Sequence, residues 1–119
     1  MMMAQVKAIY AELNALEDYT PEDHERFCVL LQVMVGPRND KGEESFDIKV
    51  CSPKWLEQEV EREGFVLGMH KLIVAEYNPV QIRKVLIKFF ERYSGDSWRE
   101  IALKLGRMGS WEFEDYGTG

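Results

Sequence analysis

The chain has 119 residues, and 45% of them are hydrophobic, which is enough apolar material for one domain with its own core. Acidic residues outnumber basic residues by 21 to 15, giving a formal net charge of −6 and a pI of about 5.0. Because contacts with phosphate need clustered Lys and Arg, this net negative charge argues against nucleic acid or an anionic membrane as the partner. It is compatible with a basic protein as the partner.

The N-terminal segment MMMAQVKAIYAEL lacks the features of a signal peptide, because no basic start precedes an apolar run and Lys7 interrupts that run. The longest uncharged apolar stretch, residues 28–36, is too short to span a bilayer. Two cysteines also fit a reducing compartment better than a disulfide-built secreted domain. We therefore expect a cytoplasmic protein, and the lack of repeats or linkers predicts a single domain over residues 1–119.

The first half of the chain predicts three strands. Residues 5–12 predict the first strand, and the acidic segment 13–25, which contains Pro21, predicts a loop. Residues 27–35 are apolar on both faces, which is typical of a central strand. Turn-forming residues follow, and the apolar–polar alternation of residues 45–51 then predicts a half-buried strand.

The second and third strands can be aligned as a hairpin. If Val35 faces Glu44, apolar residues meet apolar residues along one face, which is the pattern that favours a register in a hairpin. A slip of two residues fits nearly as well. The apolar pairs of the predicted register are Val33–Phe46, Leu31–Ile48 and Val29–Val50.

The same register places Cys28 opposite Cys51. Such a pair has two interpretations, a redox-sensitive cross-strand disulfide or two ordinary thiols near the sheet surface. A reducing cytosol favours the reduced thiols.

The first helix is predicted from its ends. Ser52 supplies an N-cap oxygen, Pro53 occupies the first helical position, and Gly64 is a stop signal. Few residues between them are apolar, so this helix should lie on the surface. Its acidic residues are Glu57, Glu59, Glu61 and Glu63.

Two further helices follow. Asn78 and Pro79 repeat the cap-then-proline signal, and apolar residues then recur at three- and four-residue steps. Ser97 and Glu100 form a capping box for a third helix, which Gly106 and Gly109 end. The predicted inner face of the third helix is Trp98, Ile101, Ala102, Leu105 and Met108.

Residues 71–77 predict one more strand, and residues 111–113 predict a short edge strand. This order predicts an α+β fold, with a mainly antiparallel sheet of roughly four or five strands and about three helices packed on one face.

The sequence contains few residue patterns that are typical of a catalytic or metal-binding site. His24 and His70 lie far apart, no Cys/His spacing resembles a metal site, and no phosphate loop or nucleophile motif is present. Paired carboxylates would serve a glycosidase only if they converged in a cleft, which the sequence does not indicate. We therefore expect no catalytic residue, no cofactor and no metal. The basic stripe on the second helix fits a solvated face; it comprises Arg83, Lys84, Lys88 and Arg92.

Three stretches of the chain are similar to a known family. They are GEESFDIKVCSPKWL, GMHKLIVAEYNP and SGDSWREIALKLGRMGSWEFEDY. Between about Phe27 and Tyr116 the chain resembles the immunity protein 8 family of bacterial polymorphic toxin systems. The resemblance implies a non-enzymatic cytoplasmic protein, encoded beside a toxin, that binds its C-terminal toxic domain and protects the producing cell. The alternative is a small interaction or regulatory module with a different protein partner.

The binding surface must be argued physically, because the resemblance carries no site residues. Many contact-delivered toxins are nucleases with basic active sites, which an acidic surface would attract. In the terminal strand we expect Trp111 and Phe113 to complete the core, and Glu112, Glu114 and Asp115 to face the toxin. The predicted partner-binding residues are Glu112, Glu114, Asp115 and Tyr116, together with Glu43, Glu44 and Asp47 at the hairpin. Nothing in the sequence specifies an oligomeric state.

Overall fold

The computed structural model describes residues 1–113 and shows an α+β fold, as predicted. The sheet is larger than expected, with seven strands in the described part of the chain. The strands are β1 Met2–Ala11, β2 Asn14–Ala15, β3 Cys28–Pro37, β4 Glu44–Cys51, β5 Lys71–Ile73, β6 Ser94–Gly95 and β7 Ser110–Trp111. The helices are α1 Pro53–Glu63, α2 Pro79–Phe90 and α3 Trp98–Leu105, with a 3-10 turn at Leu16–Asp18.

The main strand order is β2-β1-β3-β4-β5, with β6 paired to β1 and β7 paired to β4. Every pairing is antiparallel except that of β4 with β5, which is parallel. The β3–β4 register is confirmed, from Val35 opposite Glu44 to Cys28 opposite Cys51. The apolar residues of this register, among them Val33 and Phe46, are buried in the core.

The N-terminal part contains more structure than predicted. Strand β1 begins at Met2, and the segment expected to be a loop holds β2 and the 3-10 turn. Leu16 in that turn is fully buried, and its carbonyl accepts a hydrogen bond of 3.2 Å from the Tyr77 hydroxyl. This distant contact orders a segment whose composition alone indicates a loop.

The predicted helix caps are present. Ser52 Oγ accepts from the Trp55 N–H at 3.3 Å, and Asn78 Oδ1 accepts from the Gln81 N–H at 3.2 Å. Gly64 ends α1 with φ 91°, a backbone conformation that favours glycine. Helix α1 buries no residue, in line with its expected surface position, whereas α2 and α3 supply core residues. Those core residues are Ile82, Leu86, Phe90, Ile101, Ala102 and Leu105.

Two strand predictions were too long. Strand β5 stops at Ile73, after which the Val74 N–H still donates to the Cys51 carbonyl at 3.0 Å before the chain turns. At the C-terminal end, β7 contains only Ser110 and Trp111, and a turn begins at Glu112. None of the helices in residues 1–113 has the length and apolarity needed to cross a membrane.

Candidate protein-binding surface

Strand β7 places the end of the described chain beside the start of β4. Phe46 pairs with Trp111, and the Glu112 N–H donates to the Ser45 carbonyl at 3.2 Å. The Ser45 N–H in turn donates a hydrogen bond of 2.8 Å to Glu112 Oε1, and the two residues are 67 positions apart in sequence. Two acidic segments that the sequence leaves separate therefore form one surface.

Glycine at position 109 allows this approach. A Cβ there would lie 3.1 Å from the Phe46 Cβ and 3.2 Å from the Asp47 carbonyl oxygen, which is tight for any side chain. The chain can thus leave α3 and pair directly with β4. We name the resulting surface the acidic edge, and its described members are Glu43, Glu44, Asp47 and Glu112.

Glu44 has a structural contact within the acidic edge. Its Oε1 accepts a 3.1 Å hydrogen bond from the indole N–H of Trp111 and a second from the indole N–H of Trp98. Glu44 is half-buried, and its carboxylate holds α3 and β7 against the beginning of β4. One oxygen of the carboxylate is thus committed to the fold.

Asp47 differs from the other residues of the acidic edge in its hydrogen bonding. Its Oδ1 is buried and has no hydrogen-bond partner among residues 1–113. Burial raises the pKa of Asp47 above its ordinary value, and the nearby charge of Glu112 raises it further. Within residues 1–113, the Asp47 carboxylate is thus placed near another carboxylate, with one oxygen that receives no hydrogen bond.

Glu43 and Glu112 are exposed to solvent. Within residues 1–113, Glu43 forms no ion pair, and the only side-chain hydrogen bond of Glu112 is the one to Ser45. Of the other predicted partner-binding residues, Glu114, Asp115 and Tyr116 lie outside the described residues.

The prediction that both terminal aromatics complete the core was half right. Trp111 is 6% exposed and belongs to the core, whereas Phe113 is 36% exposed. Phe113 packs its edge against the Trp111 ring, with centroids 6.4 Å apart. Its exposure follows from the end of β7, because strand alternation no longer holds beyond Trp111.

A second surface was missed by the sequence reasoning. The loop between α1 and β5 exposes three large apolar side chains, Phe65 at 66%, Leu67 at 72% and Met69 at 71%. The sequence did contain a signal for this surface. GFVLGMH is a largely apolar segment that contains two glycines and follows neither the strand nor the helix period. Exposed apolar side chains grouped in this way mark interaction sites.

This loop borders an apolar groove of about 360 Å³, whose lining includes Ile48, Leu72 and Phe89. His70 shapes one wall with a left-handed backbone, φ 55°, and its Nε2 lies 2.7 Å from the Gly106 carbonyl oxygen. The charged residues that line the groove, Lys71 and Arg107, are cations, unlike those of the acidic edge.

No three His, Cys, Asp or Glu side chains within residues 1–113 are grouped so that they could hold a metal ion. His24 packs at a ring distance of 6.5 Å from Tyr77, while His70 contacts the end of α3. The described surface thus offers carboxylates at one edge and apolar contacts in a groove, the features of a small protein-binding α+β domain.

The immunity protein 8 family model matches residues 4–116, nearly the whole chain. The chain therefore belongs to the immunity protein 8 family, which confirms the resemblance and extends it to the N-terminal strand. Membership implies an immunity protein against polymorphic toxins. A search of curated proteins and a search of solved structures each found no match.

Proposed function

We propose that the protein is a cytoplasmic immunity protein that binds and neutralises the C-terminal domain of its cognate polymorphic or contact-dependent toxin. It acts by binding and not by catalysis, and the acidic edge is the contact surface. Glu114, Asp115 and Tyr116 extend that surface in sequence. The observation that supports this proposal is the pairing of β7 with β4, which joins the two acidic segments.

Asp47 indicates the kind of toxin side chain that this surface accepts. A Lys or Arg of the toxin beside Asp47 would offset, through its charge, the repulsion between the Asp47 carboxylate and Glu112. Complex formation would thereby relieve a repulsion that the free protein carries. A basic toxin surface is thus favoured over a neutral one.

A basic active site is typical of nucleases, which hold phosphate, so a nuclease toxin fits this surface best. The carboxylates would take the place of phosphate groups of the substrate. The long-range attraction between an acidic inhibitor and a basic enzyme also raises the association rate, which matters when the toxin acts quickly.

The first experiment is co-expression with the toxin domain encoded next to this gene, with growth and complex formation as readouts. Rescue of growth together with a stable complex is the expected result. A complex with some other protein, without rescue, would instead favour an interaction module with a different partner.

The second experiment tests the surface with matched charge changes. The double variant Glu43→Lys and Glu112→Lys reverses two charges on the acidic edge. Glu57→Lys and Glu61→Lys make the same charge change on α1, where both residues are exposed and form no ion pair within the described chain.

We expect the acidic-edge variant to bind the toxin about tenfold or more weakly, mainly through slower association at low salt, and the α1 variant to bind within about twofold of wild type. Thermal unfolding of both variants checks that each is folded. Equal affinities for the two folded variants would remove the acidic edge from the interface.

A further inference from the structure

Cys28 and Cys51 lie directly opposite each other on β3 and β4, with their sulfur atoms 3.1 Å apart. The next backbone hydrogen bond, 3.1 Å from the Ser52 N–H to the Phe27 carbonyl, identifies them as a non-hydrogen-bonded pair. At such pairs the two Cα atoms approach to about 4.5 Å, which is within the range that a disulfide spans. The two thiols can therefore be joined without shifting the strands.

The two thiols are not equivalent. Cys28 is half-buried, so small molecules have access to it, whereas Cys51 is 0% exposed. The Cys51 thiol donates a hydrogen bond to the Cys28 sulfur. That bond lowers the pKa of Cys28, as do the ammonium groups of Lys49 and Lys71, while the carboxylate of Glu59 opposes them.

The same contacts raise the pKa of Cys51, because its proton is held by the Cys28 sulfur and its surroundings are apolar. When one proton is lost from the pair, the negative charge therefore resides on the more accessible sulfur. A thiolate, and not a thiol, is the form that attacks disulfides. Cys28 is thus placed to react first and Cys51 second.

We propose that Cys28 and Cys51 form a dithiol site that reduces small-molecule disulfides and closes to an intramolecular disulfide. The Cys28 thiolate attacks one sulfur of the disulfide RSSR, forming a Cys28–S–S–R bond and releasing RS⁻. The Cys51 sulfur then attacks the Cys28 sulfur, and the departing RS⁻ group accepts the Cys51 proton and leaves as RSH. Two protein thiols are oxidised by two electrons, and one RSSR is reduced to two RSH after protonation.

This site is independent of the proposed toxin-binding surface. In a reducing compartment both thiols stay reduced at rest, and the site closes when small disulfides accumulate. The new covalent bond joins two central strands across 23 positions of sequence and leaves the register unchanged.

The test uses the folded, fully reduced protein and bis(2-hydroxyethyl) disulfide, a small neutral probe, with intact mass measured under non-reducing conditions. Wild type should lose two hydrogens and carry no adduct. Cys51→Ser should stop at one hydroxyethyl-thiol adduct, which peptide mapping places on Cys28. Cys28→Ser should react at least about tenfold more slowly, because its remaining thiol is buried.

Thermal unfolding of each variant establishes that it is folded. Alkylation of reduced wild type by iodoacetamide adds a measurement that needs no variant, and Cys28 should be labelled well before Cys51. A stable adduct on wild type without ring closure would overturn the proposal. Equal reaction rates of the two serine variants, or equal labelling of the two thiols, would do the same.

Discussion

Phe46 and Trp111 stack with their ring centroids 6.3 Å apart and their planes 11° apart. Phe46 belongs to the central hairpin and Trp111 to the last described strand, so this contact ties the C-terminal segment to the core. Glu112 and Asp47, which directly follow Trp111 and Phe46 in sequence, depend on this contact for their positions. The stacked pair is thus the structural basis of the acidic edge.

The first prediction concerns this anchor. Trp111→Ala should lower the free energy of unfolding by about 3–5 kcal/mol, because the side chain is nearly fully buried. Phe113→Ala should cost clearly less, because 36% of Phe113 is exposed. Urea denaturation of both variants measures the difference. Similar losses for the two variants would show that Phe113 contributes to the core as much as Trp111 does.

The second prediction compares Glu44, whose carboxylate has a structural role, with its exposed neighbour Glu43. Glu44→Ala removes the acceptor shared by two indole N–H groups and should cost about 1–3 kcal/mol of stability. Glu43→Ala should change stability by no more than about 0.5 kcal/mol, because Glu43 is exposed. Denaturation curves recorded side by side check this. A Glu44→Ala variant as stable as Glu43→Ala would mean that water replaces the carboxylate.

The third prediction is a pH dependence. The pKa of Asp47 is raised in the folded state above its ordinary value of 3.8. The folded protein therefore binds this proton more tightly than the unfolded chain, so the ionised carboxylate destabilises the fold above the folded pKa. That penalty fades as the pH falls through the folded pKa and is absent below the ordinary value.

Asp47→Asn should accordingly raise the melting temperature at neutral pH and lose this advantage in acid. A series of melting temperatures between about pH 3 and pH 7 measures it. A constant difference across the series would show that the gain is not electrostatic. If the proposed function holds, the same variant binds the toxin more weakly, which is the trade-off expected when a destabilising group serves recognition.

The fourth prediction concerns the apolar loop. Leu67→Ser and Met69→Ser together should change stability little, because both side chains are more than two-thirds exposed, at 72% and 71%. They should reduce the binding of a hydrophobic fluorescent dye to the folded protein. Val80→Ser, which alters a 59% exposed apolar residue at the start of α2, is the matched control. Equal dye binding by both variants would mean that the loop does not act as a patch.

Local patterns in the sequence predicted the parts of this fold that local physics determines. The alternation along β4 predicted the register with β3 that the structure shows, although a slip of two residues fitted nearly as well, and Ser52 and Asn78 located two helix starts. The pairing of β7 with β4 could not be predicted in this way, because two residues of strand carry no period and their partner lies far away in sequence. Leu16 was missed for a similar reason, since a 3-10 turn of three residues carries no period and its hydrogen-bond partner Tyr77 lies far away in sequence.

In the candidate site, too, some features could be predicted from the sequence and others depend on the folded chain. The sequence was sufficient to identify Glu43 and Glu112 as surface residues. Composition could not separate Glu44 from Glu43, because only the folded chain brings two indole N–H groups to Glu44. Neither could it show that Asp47 Oδ1 has no hydrogen-bond partner within residues 1–113, since that depends on how β7 pairs with β4.

The outer edge of β4 is shared by two short strands that approach it from different parts of the chain. Strand β7 pairs with Phe46 and Asp47, and β5 pairs with the stretch from Lys49 to Cys51. Little backbone is left there to template a foreign strand, which is how natural sheets avoid edge-to-edge aggregation. A toxin that binds this side of the molecule must therefore contact side chains and not pair with the backbone of β4. Specificity among related toxins can then evolve by single substitutions that leave the sheet unchanged.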